Sequence, residues 1–207
     1  ALADIQESDM EKLLADKPDI TELYPLSPMQ HGMLLHSMLA PDSSVYCEQL
    51  QFTLDGVLNG QAFERAWQVV VQRHAVLRTG FLLTGYAEPL QYVRGRVAVP
   101  FAILDFREGP PSDRTARLHT WLRVDRSKPF DLATAPLMRL AVIRVADDQW
   151  CFVWTHHHAV IDGWSLPLLL AEAFQFYEAF LNERELSLPS PRPYLDYVRW
   201  LRQQDAH

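Results

Sequence analysis

Three consecutive histidines, His156, His157 and His158, are followed by Asp162 and Gly163 at the foot of a run of strand-forming residues. Imidazole, with an unperturbed pKa of about 6.5, can take a proton near neutral pH, so a histidine here suits a general base. Spacing chooses among the three. A side chain placed by a strand end and locked by a carboxylate a few residues later fits His158 with Asp162, whereas the register that begins at His156 puts Ile161 where the acid is needed. His157 and His158 are therefore the pair to weigh, and His156 is expected to be the last residue of the strand. A glycine after the acid lets the backbone take positive φ and a substrate approach closely, and the first free N–H groups of the next helix could meet a developing oxyanion. Asp162 then has a structural task, pairing with Arg73 or Arg78. A metal site competes weakly: His158 and Asp162 share a face only in a helix, Gly163 breaks it, and no third ligand is near. Ser27 and Ser165 read as helix caps, because neither sits in a Gly-x-Ser-x-Gly elbow.

The elements that must position these residues alternate along the chain. Ser8 to Leu14 fits a short helix in a lead-in of about twenty residues, and Leu23 to Leu26 is extended. Ser27-Pro28-Met29-Gln30 has the form of a capping box with proline at the first helical position, and Pro41 ends that helix. Val45 to Leu54 alternates like a half-buried strand, and Gln61 to Arg73 carries Phe63, Ala66, Trp67 and Val70 at helical spacing. Val76 to Leu83, Leu90 to Val93 and Val99 to Leu104 read as strands, and Ser112 to Asp125 as an amphipathic helix. Leu137 to Val145 and Gln149 to Thr155 form a hairpin pattern in a sheet buried on both faces, and the second run delivers the histidines. Helices follow from Ser165 to about Leu181 and from Pro193 onward. This mixture argues for an α/β sandwich.

Bulk properties exclude other classes. The 207 residues suit one domain or one large lobe with a proper core. With 26 acidic and 19 basic side chains and no basic run, a nucleic-acid partner is not expected. Apolar stretches are too short for a bilayer, and the acidic N-terminus lacks the form of a signal peptide, so no membrane is expected. Cys47 and Cys151 form no C-x-x-C pair, and a reducing cytoplasm is the simplest home.

His157-His158-Ala159-Val160-Ile161-Asp162-Gly163 resembles the HHxxxDG signature of the chloramphenicol acetyltransferase-like superfamily, and its flanks resemble the condensation domains of nonribosomal peptide synthetases. Tyr24 to Leu34 is similar to that family's first motif, Arg73 to Phe81 to its second, and Tyr194 to Trp200 to its fourth. The resemblance implies a two-layer α/β sandwich, a chloramphenicol acetyltransferase-like lobe with a mixed sheet covered by helices. It implies residues 1–20 as an inter-domain linker and 21–207 as the N-terminal lobe of a condensation domain whose C-terminal lobe is absent, so that the lobe alone is inactive and exposes apolar surface.

The implied reaction is amide formation between two carrier-bound thioesters, the acceptor amine attacking the donor carbonyl. By the resemblance His158 acts beside that amine, His157 supports it, Asp162 forms a structural ion pair with Arg78 in preference to Arg73, and Gly163 lines the acceptor's route. Trp164 and Ser165 are the substrate-binding candidates. Nothing is bound directly; the substrates ride on phosphopantetheine arms of donor and acceptor peptidyl carrier domains, with an adenylation domain adjacent. Gly32 to His36 and Val45-Tyr46-x-x-Gln49 resemble domains that take a D-configured donor. Two other readings stay open. One is a stand-alone coenzyme A-dependent O- or N-acyltransferase, which predicts a trimer; the other is a non-catalytic binding module, against which the intact His157, His158 and Gly163 count.

Overall fold

The computed structural model describes residues 7–40 and 45–204; residues 1–6 of the expected lead-in, and Pro41 as a helix stop, lie outside them. In chain order the elements are α1 (Glu7–Asp16), β1 (Ile20–Pro25), α2 (Pro28–Leu39), β2 (Cys47–Asp55), α3 (Gly60–Arg73), a short 3-10 turn (Ala75–Arg78), β3 (Thr79–Leu82), β4 (Leu90–Arg94), β5 (Phe101–Asp105), α4 (Pro111–Arg126), β6 (Met138–Ala146), β7 (Gln149–His157), α5 (Leu166–Leu181) and α6 (Tyr194–Gln204). The strands make a four-stranded sheet in the order β2-β7-β6-β5 and a three-stranded sheet in the order β1-β4-β3. The larger sheet is mixed, because β5 runs parallel to β6 while the other neighbours are antiparallel.

Strand alternation sends successive side chains of β6 and β7 to opposite faces. Leu140, Val142, Phe152 and Trp154 face α3 and α5, and with Phe63, Trp67 and Val70 they make the main core. Its centre is aromatic: Trp67 and Trp154 have ring centroids 4.7 Å apart, and Phe63 meets Phe152 edge-on at 5.1 Å. Each such fully buried apolar side chain contributes roughly 1.5–3 kcal/mol, which ties the helices firmly to β7. Ala141, Ile143 and Val153 point the other way and meet Leu122 of α4. The expected α/β sandwich with a mixed sheet covered by helices is present, and α4 adds cover to the second face.

Several boundaries move: β2 begins at Cys47 and β5 at Phe101, where strands were expected from Val45 and Val99. The segment expected as a strand from Val76 begins instead with the 3-10 turn, because its polar groups bond locally: Leu77 N–H donates to His74 O and the Thr79 hydroxyl to Ala75 O. β7 runs two residues past Thr155, since β2 is long enough to pair Glu48 with His156 and Cys47 with His157. His157, not His156, is the last strand residue. The capping box stands as read, with Ser27 Oγ accepting from Gln30 N–H and Gln30 Oε1 accepting from Ser27 N–H.

Candidate active site

Strand pairing holds the first two histidines, and the turn after β7 holds the third. His158 N–H donates to Tyr46 O at 2.8 Å, which continues the β2 ladder by one step and fixes the start of the turn. On the far side, Gln30 Nε2 donates to Ala159 O at 3.1 Å and Gln91 Nε2 donates to Pro25 O at 3.0 Å, while the two amides bond each other. This buried pair clamps the histidine turn to α2 and to the smaller sheet. A capping residue thus has a second task, which its place in a capping box does not announce.

His157 is buried and fully engaged. Its Nδ1 accepts from Ala159 N–H at 3.2 Å, so the ring proton is on Nε2, which points at Ser37 Oγ at 3.4 Å. Ser37 Oγ passes the chain on by donating to Met33 O at 3.0 Å. Burial, helped by the neighbouring His158, pushes the His157 imidazolium down to about 4, so the ring is neutral at pH 7. With its one lone pair occupied, His157 has no nitrogen left to accept a proton.

His158 is different. Its side chain is 32% exposed, and Nδ1 lies 3.4 Å from Glu48 Oε1. Its Nε2 makes no hydrogen bond to the described residues and stands free for a substrate. His156, wholly buried, puts Nε2 3.1 Å from the other Glu48 oxygen. Both approaches are within ion-pair distance but too oblique to be hydrogen bonds, and the His156 nitrogens and His158 Nδ1 have no other partner among the described residues. Burial, then the two neighbouring imidazoles, pushes His156 down to about 4. Among the described residues no set of three or more His, Cys, Asp or Glu side chains is arranged to hold a metal ion.

The expected ion pair of Asp162 is not formed. Asp162 is exposed, and its Oδ1 accepts from Ser165 N–H at 2.8 Å and from Ser165 Oγ at 2.7 Å. Donors in its own turn take the carboxylate. Arg78 instead donates to Arg94 O, and burial lowers its affinity for its proton against the pull of Glu22. Arg73 Nε binds Glu172 at 3.1 Å, with its other nitrogens on the carbonyls of Leu188 and Pro189. Ser165 occupies the N-cap position of α5 without a capping bond, because its backbone is already helical (φ −77°, ψ −27°) and not in the extended form of a capping residue, and its hydroxyl donates to Asp162.

Gly163 does not take positive φ, and a Cβ there would meet no atom within 4 Å. Open space, not backbone strain, is what this glycine provides. Trp164 stands 89% exposed beside it. A cavity of about 630 Å³ opens on the His157 side, between Ser37, Tyr46, Phe81, Leu83, Phe130 and His157, and Trp164 is not part of its wall. The structure therefore brings His156, His157, His158 and Glu48 together and leaves Arg73 and Arg78 elsewhere. Sequence reasoning missed Glu48, Ser37, Gln30 and Gln91; only the strand register and the helix placement bring them to the turn.

Comparison with known proteins places the chain in a family. The condensation-domain family profile matches residues 20–207. The chain is 38% identical over 204 residues to a linear gramicidin synthase of Brevibacillus parabrevis, covering 99% of this chain and 3% of that protein. It is 33% identical over 189 residues to surfactin synthase subunit 3 of Bacillus subtilis, covering 91% of this chain and 15% of that protein. Among solved structures, the starter condensation domain of rhizomide synthetase superposes with a TM-score of 0.80 at 26% identity, covering 90% of this chain and 46% of that one. The chain thus spans a small part of the synthetases it matches and slightly under half of the solved condensation domain.

Proposed function

The chain belongs to the condensation-domain family, and on that premise we propose that it is the N-terminal lobe of a domain that makes amide bonds in nonribosomal peptide synthesis. The acceptor amine attacks the donor thioester carbonyl; the C–N bond forms, the C–S bond breaks, and the donor arm leaves as a thiol. The proton shed by the amine passes to His158 Nε2 and on to the departing sulfur. Donor and acceptor peptidyl carrier domains present both substrates on phosphopantetheine arms, with an adenylation domain adjacent, in the cytoplasm. Residues 1–20 serve as the linker and 21–207 as the lobe, which needs a second lobe to close the site. Tethering supplies much of the rate, because two bound reactants meet as if in one molecule.

One observation carries the assignment of roles: of the two signature histidines, only His158 keeps a ring nitrogen free, since Ala159 N–H occupies the lone pair of His157. His157 supports the site by holding the turn, and Gly163 leaves the acceptor's approach open. Trp164 and Ser165 flank that approach. The support for the reaction class is the likeness to peptide synthetases and the HHxxxDG motif at the strand end. In the full-length synthetase, His158→Ala should lower carrier-to-carrier amide formation at least a hundredfold with the fold unchanged by circular dichroism. Near-normal turnover would refute the assignment.

A further inference from the structure

The histidines converge on a carboxylate that belongs to none of the motifs. Glu48 stands directly opposite His156 in the β2–β7 ladder, and the backbone of His158 is pinned two residues further on by Tyr46 O. Two backbone pairings thus set where the Glu48 carboxylate lies relative to both rings. One oxygen is 3.1 Å from His156 Nε2 and the other 3.4 Å from His158 Nδ1.

We infer that Glu48 is a positioning residue for His158: it takes the Nδ1–H of that ring, with His156 steadying its second oxygen, so that His158 keeps its lone pair on Nε2. This rests on the reading of His158 as the proton acceptor. Which imidazole nitrogen holds the proton is set by the hydrogen bond the other makes. Among the described residues His158 Nδ1 is buried and meets no other acceptor, and both nitrogens of His156 are equally unmet. Glu48 is 40% exposed, so its carboxyl group stays in contact with solvent while its oxygens lie beside the rings. The present contacts are not hydrogen bonds, and such contacts in substrate-free sites are often long or poorly aligned and tighten in the working complex.

The consequence is a pair of adjacent histidines held in opposite tautomers. Ala159 N–H forces the proton of His157 onto Nε2, and Glu48 draws that of His158 onto Nδ1. A purely structural glutamate would have no effect on the second of these.

The test uses the full-length synthetase for rates and the intact condensation domain for long-range proton–nitrogen correlation spectra, with His158 signals assigned by their loss in His158→Ala. The wild type should show His158 protonated on Nδ1. Glu48→Ala should move that proton toward Nε2 and lower the single-turnover rate of amide formation about tenfold to a hundredfold with acceptor KM unchanged. Glu48→Gln, which keeps an acceptor oxygen, should retain the tautomer and recover most of the rate; if Glu48→Ala fails to fold, a wild-type spectrum with the His158 proton on Nε2 overturns the inference by itself. A rate loss without a tautomer change, or a tautomer change without a rate loss, overturns the inference. If His158→Ala itself stays active, the reading of the reaction falls first, and the tautomer spectra still judge Glu48 by themselves.

Discussion

The backbone N–H of Ala159 donates to Nδ1 of His157, two residues before it in the chain, at 3.2 Å. That bond folds the turn back on the strand end and fixes a neutral ring between the turn and Ser37 of α2. His157→Ala should therefore act through stability. It strands a buried N–H and opens a ring-sized cavity, for a cost of about 2–4 kcal/mol. Urea denaturation of the variant would show the loss. An unchanged midpoint with lost activity would move His157 into the chemistry.

Acid should act on the same residues. His156 and His157 are held at about 4 in the fold against about 6.5 unfolded, so the unfolded chain binds more protons between those values. Stability from this source is complete above about pH 6.5 and falls away as pH drops toward 4. Each histidine contributes up to about 2–3 kcal/mol by this linkage. Urea midpoints measured from pH 7.5 to 5 should decline, and His157→Ala should roughly halve the slope. A flat wild-type profile over that range would contradict the neutral buried pair.

A second buried polar centre fixes the sheet from behind. Asp125, at the end of α4, accepts from Arg139 Nε at 2.8 Å, Thr155 Oγ1 at 2.6 Å and Gln49 Nε2 at 3.0 Å, joining β6, β7 and β2. Asp125→Ala leaves Arg139 without its carboxylate and the Thr155 hydroxyl without its acceptor, while Gln49 keeps the Leu122 carbonyl. Removing one partner of such a buried pair costs about 3–5 kcal/mol. Thermal denaturation should show a fall in Tm of about 6–20 °C, and a change of only about a degree or two would show that solvent replaces the carboxylate.

Most of the fold was legible because periodicity reports burial. The alternation of Leu50, Phe52 and Leu54 and the helical spacing of Phe63, Ala66, Trp67 and Val70 are direct imprints of the core they face, whereas Val45 is exposed, and Ser27 and Gln30 announce their own cap. The HHxxxDG motif was legible because its residues are contiguous. Glu48 was not, since its meeting with His156 depends on a strand register that a single sequence does not print. The pairing of Asp162 with an arginine failed for the opposite reason: a local donor, Ser165, was in reach before any distant one, and Arg73 found Glu172 on α5.

That local bond yields a prediction opposite to the one a buried ion pair would make. Asp162 is exposed and holds only the turn into α5, through Ser165 N–H and Oγ. Asp162→Ala should then cost only about 1–3 kcal/mol, the worth of two hydrogen bonds, and Ser165→Ala less still because it keeps the backbone donor. Double-mutant urea denaturation separates the cases. If Asp162 couples to Ser165 but not to Arg78, the turn is the whole of its structural task. A loss above about 3 kcal/mol that vanishes in an Arg78→Ala background would instead require the arginine to swing onto Asp162. Arg78 would then have to give up its bond to the Arg94 carbonyl, which anchors it beside β4.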